Sequence, residues 1–161
     1  MISKRNALIL SYLILFLAAG CHEPLKHFSF RSLQGDGWLP EDTLCLELDL
    51  RKSDEGKNIY ISSSFREFEE KQVMKERPFG FYITMVSPSG ATQKDTLSLP
   101  FNSLQMKSKR DGKIIQLQWP YLLDVKPNEE GLWKIELTRP KGDNTVYEKV
   151  RGVGISCKAR P

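Results

Sequence analysis

From residue 43 onwards apolar and polar residues alternate with a period of two, as a strand with one buried face requires. Leu44, Leu46, Leu48 and Leu50 alternate with Cys45, Glu47 and Asp49. The pattern returns as Ile59, Ile61 and Phe65 against Tyr60, Ser62 and Ser64, and as Phe79, Phe81, Ile83 and Met85 against Gly80, Tyr82, Thr84 and Val86. Leu97, Leu99 and Phe101 make a shorter run. Ile115, Leu117 and Trp119 alternate with Gln116 and Gln118, and Trp133, Ile135 and Leu137 with Lys134, Glu136 and Thr138. A last strand covers about Gly152 to Lys158. Turn chemistry separates the runs: Ser87-Pro88-Ser89-Gly90 suits a type I turn, and Asp111-Gly112 is a hairpin signal. Strands at this spacing predict an all-β chain, an antiparallel β-sandwich of about seven to nine short strands.

One segment departs from the pattern. Phe65 to Glu76 is charged, lacks glycine and proline, and spaces Phe65, Phe68 and Val73 at loosely helical intervals. It reads as a short helix on an edge or an excursion, and its Glu67, Glu69 and Glu70 as a solvated face rather than a cation site.

The first twenty residues carry a different signal. Lys4 and Arg5 precede an apolar run from Ala7 to Leu17, followed by small residues and a cysteine, Ala18-Ala19-Gly20-Cys21. This is the layout of a secretory signal peptide. The run is shorter than the roughly 20 residues a membrane-spanning helix needs. Leu17-Ala18-Ala19-Gly20-Cys21 reads as a lipobox, which assigns residues 1–20 to a cleaved signal, helical and outside the working domain, and makes Cys21 the lipidation site. Residues 21–37 are then the lipidated N-terminus and tether, and 38–161 the sandwich. Acyl chains bury about 0.8 kcal/mol per methylene, so the lipid on Cys21 ties the protein to a membrane. After Cys21 stands a single Glu23 rather than an acidic run, which favours the outer membrane facing the periplasm.

The chain has 24 basic and 20 acidic residues, a formal charge of +4 that drops by two when Lys4 and Arg5 leave. That balance carries no case for nucleic acid. Cys45 and Cys157 remain in an oxidising compartment, which leaves a disulfide open. Strand parity, with Cys45 on a polar face and Cys157 on an apolar one, argues against it.

No catalytic, cofactor or metal residues are assigned. Both histidines, His22 and His27, lie in the tether stretch, a poor place to hold a general base. Zinc-type spacing is absent, and Gly152 and Gly154 sit in a strand-like run without a following helix, unlike a phosphate loop. A carboxylate pair for glycoside hydrolysis can be neither excluded nor nominated. Trp38, Trp119, Tyr121 and Trp133 could form a stacking platform for sugars. Trp119 and Trp133 have inward parity, however, and Trp38, before the first strand, is the tryptophan placed at the surface.

With these residues in hand, the chain resembles the GldH family, the gliding-motility lipoproteins of Bacteroidetes. The resemblance rests on the order of the lipobox cysteine, Trp38-Leu39-Pro40 with Asp42-Thr43-Leu44, a strand ending near Arg66, Ser87-Pro88-Ser89-Gly90, Asp95-Thr96-Leu97, Gly131-Leu132-Trp133-Lys134-Ile135 and Gly152-Val153-Gly154-Ile155. It spans most of residues 21–158, and the charged Phe68–Pro78 stretch departs from it. It implies a non-enzymatic accessory lipoprotein of the gliding motility and type IX secretion apparatus, with protein partners in the envelope and no small-molecule substrate. Cys21 alone carries over. The alternative is a glycan- or ligand-binding lipoprotein of a nutrient-uptake system, which calls for exposed aromatics on one concave face.

Overall fold

In the computed structural model of the chain, the described residues are 27–35, 37–66, 78–142 and 145–159. They contain nine strands: β1 (Phe28–Ser32), β2 (Thr43–Leu50), β3 (Asn58–Arg66), β4 (Phe79–Val86), β5 (Thr92–Leu99), β6 (Lys107–Asp111), β7 (Ile114–Leu122), β8 (Gly131–Thr138) and β9 (Val150–Lys158). One five-residue helix, α1 (Thr145–Lys149), precedes β9. One sheet runs β1-β9-β3-β7-β6 and the other β2-β8-β4-β5, with antiparallel pairing throughout. The expected antiparallel β-sandwich is the fold. The expected signal peptide, Cys21 and the charged stretch beyond Arg66 lie outside the described residues.

Register converts the alternation into a core. Leu44, Leu46 and Leu48 of β2 stand opposite Leu137, Ile135 and Trp133 of β8. Ile83 and Met85 of β4 meet Leu137 and Ile135 from the other side. In the five-stranded sheet Ile61 lies between Trp119 and Ile155. These side chains are all buried, and the two inner faces close on each other. Phe65, taken as the start of the charged excursion, is instead a fully buried residue of β3. The outermost strands β5 and β6 are polar along nearly their whole length, which keeps their open edges from pairing with other chains. At the opposite side the Glu47 N–H of β2 donates to Ser29 Oγ of β1 (3.1 Å), drawing the two sheets together.

Three features depart from the sequence reading. Trp38, expected at the surface, is 1% exposed. Its ring packs against Phe79, Phe81 and Tyr147, its backbone N–H donates to Tyr147 O (2.9 Å), and its carbonyl accepts from Arg139 Nη1 (2.8 Å). The preceding Gly37 makes this approach feasible. Its φ is +89°, and a Cβ there would collide with the Tyr147 and Glu148 backbone. Second, α1 carries Val146 and Tyr147 into the core, where Arg139 stacks 4.5 Å from the Tyr147 ring centre. Third, residues 28–32 are not tether but strand β1, so the folded part begins ten residues before residue 38.

β1 owes its place to two missing side chains. Its Phe30 stands opposite Gly154, and Ser32 opposite Gly152. Inner-face Val153 and Ile155 are buried, so the two glycines face outward, and the Phe30 ring lies across them. A Cβ on Gly154 would come within 2.6 Å of that ring, and one on Gly152 would overlap it outright. Gly152→Ala is therefore expected to cost about 1–3 kcal/mol through overpacking, read as a lower urea midpoint. Adding Phe30→Ala should return part of that loss; an equal loss with and without the ring contradicts this packing.

Candidate functional site

The outer face of the five-stranded sheet holds a cleft of about 400 Å³. Its geometry follows from pairing across the strands. One row runs Phe30 (β1), Gly154 (β9), Ser62 (β3), Gln118 (β7), Lys107 (β6). The next runs Ser32, Gly152, Ser64, Gln116, Lys109. Along each row, therefore, the middle of the sheet bears only glycine and serine. One rim is aromatic: Phe28 and Phe30 are 58% and 39% exposed, with nearly parallel rings 6.2 Å apart. The other rim is basic and amide-bearing, with Lys107, Lys109, Gln116 and Gln118, and Lys158 adds a third ammonium. Among the described residues no carboxylate lines the cleft.

A second cluster sits at one end of the sandwich. Asp54 is fully buried in a short 3-10 turn after β2, where it accepts from Arg51 N–H (2.8 Å) and Lys57 Nζ (2.6 Å). His27 Nδ1 lies 3.8 Å from the same carboxylate, and the His27 carbonyl accepts from Cys157 N–H (2.9 Å). The fold thus brings a cysteine, a histidine and an aspartate together, which the sequence reading missed by leaving His27 in a tether. The electrostatics oppose nucleophilic use. Burial pushes the Cys157 thiol up, and the Asp54 charge pushes it the same way, so the thiol stays protonated. Burial also pushes the Asp54 carboxyl up, but the Lys57 and Arg51 hydrogen bonds and the Lys57 and His27 charges outweigh it and hold it below its usual range. The Lys57 ammonium is raised in turn, chiefly by its bond to Asp54. What this arrangement does chemically is pin the start of β1 to the turn after β2.

The remaining sequence candidates are structural. Cys45 is exposed on β2, Cys157 is buried on β9, and both are free. Trp119 and Trp133 are buried and donate to Pro100 O (2.8 Å) and Glu129 O (3.3 Å). Tyr121 is partly buried, and burial followed by the Asp95 charge pushes its hydroxyl up to about 12. These side chains form no stacking platform. Among the described residues the exposed aromatics are Phe28, Phe30 and Tyr82, and of these Phe28 and Phe30 line the cleft. The signal that could have found that pair is the alternation Phe28-Ser29-Phe30-Arg31. Glu129 ties the Ser87–Gly90 turn to the loop before β8 through Ser87 Oγ (3.0 Å) and Ser89 Oγ (2.8 Å). The Ser89 Oγ bond first, and then the one from the Ser89 backbone N–H (3.0 Å), lower its pKa.

No family model matches this chain, and neither a curated protein nor a solved structure does.

A carboxyl lowered on folding stabilises the fold above its unfolded value, here 3.8, and loses that contribution as pH falls through the lowered one. Urea midpoints measured from pH 7 down to about pH 2 should therefore drop below about pH 4 in the wild type. Asp54→Asn should be less stable at pH 7 by about 1–3 kcal/mol and flatter in the acid range. An unchanged acid limb in that variant would show that Asp54 is not the group responsible.

Proposed function

We propose that this chain is a non-enzymatic lipoprotein anchored through Cys21 in the outer membrane and facing the periplasm, an accessory component of the gliding motility and type IX secretion apparatus. The observation that carries the reading is the lipobox Leu17–Cys21. Support for the system comes from the ordered motifs shared with the GldH family. The fold adds a physical consequence. With His27 already tied to Cys157, only residues 22–26 separate the lipidated cysteine from the sandwich. At roughly 3.3–3.6 Å per residue, that tether reaches about 20 Å. It confines the domain to the membrane surface and raises its effective concentration for envelope partners there.

One observation favours the second reading, a ligand-binding lipoprotein of a nutrient-uptake system. Phe28 and Phe30 are exposed and converge on a cleft. Exposed aromatics that line a concavity, rather than scatter singly, mark binding surfaces.

Removing the gene from its source bacterium separates the two. The accessory reading expects selective loss of type IX cargo from the secreted proteins, restored by the wild-type chain and not by Cys21→Ala. A secretome equal to the parent's contradicts it and leaves the ligand-binding reading.

A further inference from the structure

The three strands under the outer cleft, β9, β3 and β7, are each paired on both sides. Their amides and carbonyls are committed to ladders. An extended peptide that docks by adding a strand needs a free sheet edge, so recognition on this face falls to side chains. Gln116, Gln118, Lys107, Lys109 and Lys158 form no hydrogen bond or ion pair among the described residues, and their polar ends are available. Each glutamine offers two donors and an acceptor, which suits hydroxyl groups. Each lysine offers three donors and a positive charge. The Phe28 and Phe30 rings offer flat apolar faces of the kind that carry the C–H side of a sugar ring.

We infer that this cleft binds an acidic oligosaccharide. The inference rests on the ligand-binding reading and names the ligand class. The charge is decided by three ammonium groups and, among the described residues, no carboxylate along the lining. The length is decided by the rows: Phe30 and Lys107 stand four strands apart, roughly 19 Å along the sheet at about 4.8 Å per strand. One sugar ring reaches a single rim, whereas a short chain reaches both, stacking on the phenylalanines and placing its carboxylates at Lys107 and Lys109. The volume lies within the range of about 300–1,000 Å³ typical of small-molecule clefts. The small side chains of Ser62, Ser63 and Ser108 in the lining leave room for the ligand to lie flat.

Calorimetric titration of the full chain in detergent with trigalacturonic acid tests this, alongside neutral maltotriose and a hexaglutamate peptide. Trigalacturonic acid should bind, less tightly as salt is raised, and more tightly than either comparison ligand. The exposed pair Lys107→Gln with Lys109→Gln should weaken it about tenfold, as should Phe28→Ala, with unfolding midpoints unchanged. Equal binding of maltotriose overturns the acidic class while leaving a ligand cleft in place. Hexaglutamate binding as tightly overturns it in favour of an acidic peptide. Absence of trigalacturonate binding, or binding indifferent to both variants, overturns it as well.

Discussion

The contact of the Phe30 ring with Gly152 and Gly154 governs how the N-terminal part of this molecule is assembled. β9 serves two surfaces at once. Val153, Ile155 and Cys157 fill the core on one side, while the outer side bears two glycines and Ser156. That bare strip lets an aromatic strand lie against β9 with its rings turned outward. Docking β1 brings His27 beside Cys157 and Asp54, brings Ser29 to Glu47 on the opposite sheet, and leaves a short connection to Cys21. The Phe30 ring seated on that strip is one wall of the outer cleft.

Behind that face the core depends on rings rather than on leucines alone. Phe79 touches Trp38, Phe65, Phe81, Trp119 and Tyr147, with centroids between 5.2 and 6.2 Å. Those partners come from both sheets, α1 and the segment before β2. Aromatic pairs of this kind add about 0.5–1.5 kcal/mol beyond their area burial, so Phe79 couples parts of the chain that the strand ladders do not connect. Trp38 closes this cluster by covering Tyr147, which in turn donates to Gly80 O on β4.

How much of this could be read from the sequence depended on what each feature rests on. β2, β4, β7 and β8 were legible, because each has one buried face and the period-two pattern records it. β3 was less clear: Tyr60 and Ser64 lie on its polar parity yet are buried. β1 shows alternation too, but only over five residues a short way after the segment read as a lipobox, where a tether was the simpler reading. α1 is shorter than any helical period can reveal. Trp38 turned inward because Gly37 takes a left-handed conformation against a backbone far along the chain. The cleft was the least legible part. Gln116, Lys107 and Phe30 become neighbours only through the order β1-β9-β3-β7-β6, and no local pattern encodes sheet order.

Nuclear Overhauser contacts between ring protons of Phe30 and the α-protons of Gly152 and Gly154 are the decisive measurement. Strong contacts to both glycines, with their α-proton resonances shifted upfield by the ring, follow if β1 is seated on the bare strip of β9. A Phe30 ring without contacts to either glycine, and glycine α-protons at ordinary shifts, would contradict the seating of β1 and with it the shape of the outer cleft.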